Sequence, residues 1–180
     1  MTLTIKRVVG LSDANAQVKA LYKRAFPKEE RIPYSWLKSL AHRAIVDFLA
    51  YYDGHQFVGF TYTITHHDVS YLFFLAVNDQ VRSKGYGSQI LQELDHQHPL
   101  NRIILMVEPL DSTAINSHQR EARLAFYTKN GFHRTGITTV EQGVTYDMLS
   151  KRGNVTAMEY RQLIKSFTGW LFPFFKPTVK

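Results

Sequence analysis

Cysteine is absent from this sequence of 180 residues. The absence excludes a disulfide framework, a thiolate metal site and a cysteine nucleophile. It agrees with a reducing, cytoplasmic setting. No uninterrupted apolar run approaches the ~18 residues of a membrane span. The start, Met1-Thr2-Leu3-Thr4-Ile5-Lys6-Arg7, has no long apolar stretch after its basic residues, so it does not read as a secretory leader. Although the formal net charge is +7, the positives are dispersed and never reach the roughly five or six together that mark a basic tail. Such a surface attracts anions in general. A phosphorylated ligand accounts for part of it, and neither nucleic acid nor a membrane is an expected partner. Internal repeats and low-complexity tracts are missing too.

What is present is ordinary for a globular domain: 44% hydrophobic and 21% charged residues. A domain of this size can bury roughly 70% of the surface its unfolded chain exposes. It needs no metal to hold together.

Hydrophobic spacing divides the chain into elements. Ser12-Asp13 opens a helix whose inner face is Val18, Leu21, Tyr22, Ala25 and Phe26, and Pro27 ends it. A charged connector, Lys28 to Pro33, leads to a short helix with Trp36, Leu37, Leu40 and Ala41 inward. Then the period changes. Ile45–Tyr52, Phe57–Thr65 and Val69–Val77 read as three antiparallel strands, with turns at Asp53-Gly54 and His66-His67-Asp68. The third is apolar almost throughout, as in a strand covered on both faces. A helix follows over Gly85–His96 with Tyr86, Ile90, Leu91 and Leu94 inward, then a strand over Arg102–Glu108. That strand, helix and strand form a crossover unit, which joins parallel strands. A helix over Ser117–Lys129 stops at Asn130-Gly131, and strands over Phe132–Val140 and Val144–Leu149 turn at Gln142-Gly143. The expected fold is α/β (α+β). It has a mixed six- to seven-stranded sheet with an antiparallel first half and a central βαβ unit, flanked by helices. Met158, Leu163, Ile164 and Phe167 mark one more amphipathic helix, before the aromatic run Trp170-Leu171-Phe172-Pro173-Phe174-Phe175.

The junction Val77-Asn78-Asp79-Gln80-Val81-Arg82-Ser83-Lys84-Gly85-Tyr86-Gly87-Ser88 carries chemistry. A buried strand ends and a helix begins within a few residues. The first N–H groups of a helix have no internal partners and, with the helix dipole, favour an anion. Gly85 and Gly87 permit close backbone approach. Arg82 and Lys84 add charge, and Ser88 a hydroxyl. The third glycine of a dinucleotide fingerprint is missing, and no Gly-Lys-Ser/Thr of a P-loop follows. Taken alone, the junction is either an anion site or a tight turn.

Arg82-x-x-Gly85-x-Gly87 between strand and helix resembles the pyrophosphate motif of the GNAT superfamily of acyl-CoA-dependent N-acyltransferases. The stretch Arg123-Leu124-Ala125-Phe126-Tyr127-Thr128-Lys129-Asn130-Gly131-Phe132 resembles the second signature of that family, in the right order and at the right distance. The resemblance covers about Leu3 to Leu149. It implies an acetyltransferase domain over 1–150, with a helix and aromatic tail over 151–180. It implies acetyl-CoA (or CoA) as co-substrate and no metal. Backbone groups of Leu75, Ala76 and Val77 would pair with the pantetheine arm. The amides of Arg82, Ser83, Lys84, Gly85, Tyr86, Gly87 and Ser88 would hold the pyrophosphate, and Tyr127 would sit near the sulfur. One departure stands out. Many members carry asparagine seven positions before the signature tyrosine, where this chain has Arg120. Asn116, just upstream, is the candidate substitute.

Acetyl transfer to an amine needs a neutral amine, a donor to the oxyanion, and a proton for the leaving thiolate. Without cysteine, direct attack is expected. Tyr127, a phenol of ordinary pKa near 10, can protonate the thiolate, although a core tyrosine at a helix end is the other reading. The N–H near Val77 is a candidate oxyanion donor. Glu108 ends an apolar strand. It is either a base or amine anchor with a raised pKa, or the ion-pair partner of Arg120 or Arg123. Glu29 and Glu30 read first as an exposed turn, and His66 and His67 as solvent-facing. His96 and His98 do not share a helix face, and no spacing resembles a zinc site. The acceptor is a small-molecule or protein amine. A non-catalytic CoA-binding module and a basic adaptor for nucleic acid or membrane are the competing classes. The run Trp170 to Phe175 has three readings: packing back on the domain, a homodimer contact, or a membrane-surface contact helped by Lys165, Lys176 and Lys180.

Overall fold

The structure is a computed structural model that describes residues 3–10, 12–28, 31–81, 85–141, 143–169 and 177–179. Among these are eight strands: β1 (Thr4–Arg7), β2 (Val46–Asp53), β3 (Gln56–His66), β4 (Val69–Val77), β5 (Arg102–Val107), β6 (His133–Glu141), β7 (Val144–Lys151) and β8 (Thr178–Val179). Five helices accompany them: α1 (Asp13–Ala25), α2 (Tyr34–Leu40), α3 (Tyr86–Gln97), α4 (Ser117–Lys129) and α5 (Ala157–Thr168). The hydrogen-bonded strand order is β1-β2-β3-β4-β5-β7-β6-β8. Eight strands exceed the six to seven expected. The extra ones are β1 and β8, of four and two residues, too short to show a period.

The chain divides into two compact units. The first comprises Met1–Ile64 and Leu72–Pro99. In it β1 runs antiparallel to β2, from Thr4↔Tyr52 to Arg7↔Leu49, and β2 runs antiparallel to β3 with a bulge between Tyr51 and Tyr52. Ser12 caps α1 by accepting from the Asn15 amide. The buried face of α1 is Ala14, Asn15, Val18, Leu21 and Tyr22, so Ala25 is exposed rather than inward. Trp36 is also exposed, at 48%. Helix α2 has only seven residues, and its single buried position is Leu37, with Ala41 at its cap. An aromatic cluster fills the space beneath: Tyr22 packs on Phe26, Phe60 and Phe74, and Phe48 packs on Phe60 and Tyr62. Below α3, Tyr86 and Ile90 join Leu3, Leu49, Tyr51, Val58 and Val81. A Cβ at Gly59 would lie 2.5 Å from the Ala76 carbonyl and 2.9 Å from Ile90 Cδ1. Only glycine lets β3, β4 and α3 approach this closely.

The second unit comprises Thr65–Tyr71 and Leu100–Lys180. The start of β4 is parallel to β5, from Val69↔Arg102 to Tyr71↔Ile104. This is the pairing expected of the crossover. Strand β7 runs antiparallel to both β5 and β6, and β8 pairs Thr178 and Val179 with Val140 and Thr139. Helix α5 buries Tyr160, Leu163, Ile164 and Phe167, the i, i+3, i+4, i+7 positions of one helical face. Met158 lies off that stripe and is 67% exposed. Tyr160, which the apolar pattern left out, holds the inner place and packs edge-on against Tyr71 at 5.6 Å. The aromatic run Trp170 to Phe175 and the connector residues Glu29 and Glu30 lie outside the described residues.

Candidate functional site

Asn78, immediately after β4, fixes the strand's end in the first unit. Its amide N–H donates to Val58 O at 2.8 Å and its side-chain Nδ2 to Phe57 O at 2.9 Å. Its Oδ1 accepts from the Gln80 amide at 3.2 Å, and Arg24, 2.9 Å from Asp79, closes the turn. Sequence reasoning passed over Asn78. Its signal was a polar residue directly after a buried strand. The chain then makes a 3-10 turn over Asp79–Val81. Arg82, Ser83 and Lys84 lie outside the described residues.

Gly85 is the N-cap of α3 with φ 71°, in the left-handed region, and makes no side-chain cap bond. The first internal bond of the helix runs from the Gln89 amide to Gly85 O. The amides of Tyr86, Gly87 and Ser88 thus stand at the uncapped first turn, where a helix presents donors and its positive dipole end. These features fit a phosphate. Tyr86 offers only its backbone, because its ring is buried and its hydroxyl donates to Asp53 Oδ2 at 2.7 Å. That bond to a carboxylate raises the Tyr86 pKa.

Leu75, Ala76 and Val77 form the last turn of the pleat in β4. The β4–β5 ladder covers only Val69–Tyr71. Leu75, Ala76 and Val77 have no β5 partner in that ladder among the described residues. An extended ligand with amide groups fits such an edge.

In the second unit, Glu108 follows β5 and is drawn into a cluster. Arg120 Nη2 lies 2.8 Å from Oε1 and Arg123 Nη1 lies 3.3 Å from Oε2. Asn116 Nδ2 donates to both oxygens at 3.3 and 3.2 Å. Arg120 also donates from Nε to Asn116 Oδ1 at 2.8 Å and from Nη1 to Pro109 O at 2.9 Å. Of the two readings of Glu108, this geometry is the ion pair. Asn116 has both ends of its amide engaged.

Tyr127 stands one turn beyond Arg123 on α4. Its ring packs between Phe126 at 5.1 Å and Phe132 at 5.7 Å. Among the described residues its hydroxyl has no hydrogen-bond partner. Burial pushes its pKa up to about 12, against a smaller opposing pull from the Arg123 charge. The phenol is therefore protonated throughout the neutral range. His66 ends β3 and His67 opens the turn to β4 at φ 53°, and their rings lie 4.2 Å apart. Among the described residues no three histidines or carboxylates gather as a metal site would require.

The acetyltransferase (GNAT) domain family matches residues 45–134, half of the chain. The chain belongs to the GNAT acetyltransferase family. Solved GNAT folds agree with the architecture. A GNAT-family protein from Bacteroides thetaiotaomicron superposes with a TM-score of 0.68 at 18% identity, over 96% of this chain and 98% of that one. An aminoglycoside 6'-N-acetyltransferase solved with coenzyme A gives 0.63 at 19% identity, over 82% and 96%. The ribosomal-protein-S18-alanine N-acetyltransferase from Escherichia coli gives 0.58 at 18%, over 87% and 97%. At these identities the likeness is one of fold. No curated protein matches the chain in sequence. Among the described residues of this GNAT chain, no helix is long and apolar enough to cross a membrane.

Proposed function

We propose that this GNAT protein transfers the acetyl group of acetyl-CoA to a primary amine by direct attack. One observation carries the reading. The uncapped, left-handed-glycine start of α3 and the unpartnered edge of β4 occur together in one unit, where the sequence resemblance would put the donor. The first-turn amides of Tyr86, Gly87 and Ser88 would hold the pyrophosphate, together with Arg82, Ser83 and Lys84. Backbone groups of Leu75, Ala76 and Val77 would pair with the pantetheine arm. Bound acetyl-CoA would supply the acetyl group as a thioester, whose C–S bond is exchanged for a C–N bond with the amine. Tyr127 would give its phenolic proton to the leaving sulfur and regain one from solvent, while the amine's surplus proton passes to water. A pKa near 12 suits a donor that must stay protonated, though it makes the phenol a reluctant one. Glu108, held by two arginines, has its lone pairs occupied.

Two of the neighbours are named for different acceptors, an aminoglycoside and an alanine of ribosomal protein S18. The acceptor here is read no further than a small-molecule or protein amine, since the fold does not select it. Thermal unfolding with CoA tests the donor site. Saturating CoA should raise the melting temperature by several degrees, and Gly85→Val or Gly87→Val should abolish that rise. No shift with millimolar CoA would sink the proposal. Tyr127→Phe should leave the CoA shift intact and slow thiol release from acetyl-CoA.

A further inference from the structure

The four residues Asn116, Arg120, Arg123 and Tyr127 are spaced four, three and four apart on α4. At 3.6 residues per turn this spacing puts them on one narrow stripe of the helix. The first three all reach Glu108, at 3.2, 2.8 and 3.3 Å. The fourth is Tyr127. Helix α4 inserts no fully buried side chain, and its half-buried Tyr127 rests on Phe126 and Phe132 near the helix end. An apolar helix is fixed in rotation by the side chains it inserts into a core. Here that fastening is replaced by a carboxylate at the end of β5 grasping one stripe.

From this we infer that Glu108 is a positioning residue: by clamping Asn116, Arg120 and Arg123 it sets the rotation of α4 and so the direction of the Tyr127 hydroxyl. The clamp has the stiffness the task needs. Arg120 bridges Glu108, Asn116 and the Pro109 carbonyl at once, which ties the helix start to the loop leaving β5. Arg120 stands where many family members carry asparagine, and the ion-pair clamp gives that departure a structural role. The other end of α4 is held independently. The Phe132 amide donates to Tyr127 O at 3.1 Å, and Asn130 Nδ2 donates to Phe126 O at 2.8 Å. Loss of the clamp should therefore rotate or loosen the helix without unfolding it.

The consequence for transfer rests on the reading of Tyr127 as proton donor. Two measurements separate the inference from that reading. The first is fluorine NMR of protein labelled with 3-fluorotyrosine, the Tyr127 signal being assigned by its loss in Tyr127→Phe. Glu108→Gln should shift or broaden the Tyr127 signal and leave that of Tyr86 unchanged. An unmoved Tyr127 signal overturns the inference whatever the activity does. The second is a double-mutant cycle on thiol release from acetyl-CoA in water, with no amine added. Glu108→Gln and Tyr127→Phe should each slow release by about tenfold or more, and the double variant no further than Tyr127→Phe alone. Losses that multiply would make Glu108 an independent group, such as a base, and overturn the inference. If Tyr127→Phe releases thiol at the wild-type rate, the donor reading fails and the fluorine signal alone decides the clamp. Should Glu108→Gln not fold, Arg123→Gln removes only the 3.3 Å contact and should move the same signal less. An unmoved signal there overturns the inference equally.

Discussion

The two units of this chain are fastened by different forces. In the first, aromatic rings do most of the packing. Tyr22, Phe26, Tyr34, Phe48, Phe60, Tyr62, Phe73 and Phe74 form a connected series of edge-on and tilted pairs, 4.5–6.4 Å apart between Tyr22 and Phe74 or Phe60 and between Phe73 and Phe74. In the second, charged groups tie the elements together. Arg102 grips Asp68 through Nε and Nη2 at 2.9 and 3.0 Å, Glu159 at 2.7 Å and Asn154 O at 2.8 Å. Glu108 gathers Arg120 and Arg123, and Arg134 pairs with Asp147. Apolar packing is not subject to Debye screening by a simple salt and falls off with lost volume. Ion pairs respond to salt and pH. The contrast therefore makes different predictions for the two units.

The largest expected effect is in the aromatic cluster. Phe74 is 6% exposed and contacts Tyr22, Phe26, Tyr62 and Phe73. Phe74→Ala should destabilise the protein by about 3–5 kcal/mol, the range for a large ring deleted from a core. The loss, measured by urea unfolding, should be the same at low and high salt. A loss that salt alters would mean the first unit also depends on charge.

Arg102→Ala is the counterpart in the second unit. Arg102 is 20% exposed on its side chain, Glu159 31% and Asp68 60%. Solvent screens such pairs, so the expected cost is about 1–2 kcal/mol, chiefly from the bond to Glu159. High salt should shrink it. A cost equal to that of Phe74→Ala would erase the distinction between the units.

The difference also explains what the sequence disclosed. Periodicity found α1, α3 and α5 and the long strands, because each repeats apolar residues at a helical or strand period, whereas α4 was marked by its Asn130-Gly131 stop. The four inward residues expected of α3 are those it buries. Rings and aliphatics announce a core singly, but an ion pair is a relation between positions. Arg102 meets Asp68 across 34 residues and Glu159 across 57, and no local pattern connects them. Glu108 was read as either a base or an ion-pair partner for the same reason: the strand showed that a carboxylate was out of place, not what met it. At the donor site the glycines were legible because their chemistry is local. The unpartnered edge of β4 was not, since it depends on where the β5 ladder stops.

Titration should separate the units more finely. Hydrogen bonds from Arg102, then from the Thr156 amide and hydroxyl, hold the Glu159 carboxyl down at about 2, from its ordinary 4.5. A depressed carboxylate contributes stability that is present above 4.5 and lost as pH falls toward 2. In the first unit, burial pushes Tyr22 and Tyr51 up to about 12 from 10.0, and Tyr34 and Tyr62 are raised as well. A raised phenol contributes stability that is full below 10 and lost as pH climbs toward 12. Methyl NMR signals followed through both titrations should broaden first in the second unit on the acid side and first in the first unit on the alkaline side. Signals of both units broadening together in each direction would show that the units unfold as one.

The smallest effects belong to the helix caps, and they carry the comparison down to single hydrogen bonds. Ser12 accepts one bond, from the Asn15 amide at 3.3 Å. Ser12→Ala should cost about 0.5–1 kcal/mol. Thr156 forms a capping box. Its hydroxyl accepts from the Glu159 amide at 3.2 Å and donates to Glu159 Oε2 at 2.8 Å, while Glu159 Oε2 also takes the Thr156 amide. The carboxylate that closes this box is the one Arg102 grips through its other oxygen. Thr156→Ala therefore frees Glu159 to move, and part of the Arg102 bond should go with the cap. Combined with Arg102→Ala, it should cost less than the separate losses added together, whereas Ser12→Ala and Phe74→Ala should add, because they share no partner. Chemical denaturation of both pairs checks this. Additivity in the second unit would reduce its charged fastenings to separate contacts; a shortfall there alone would make them one network.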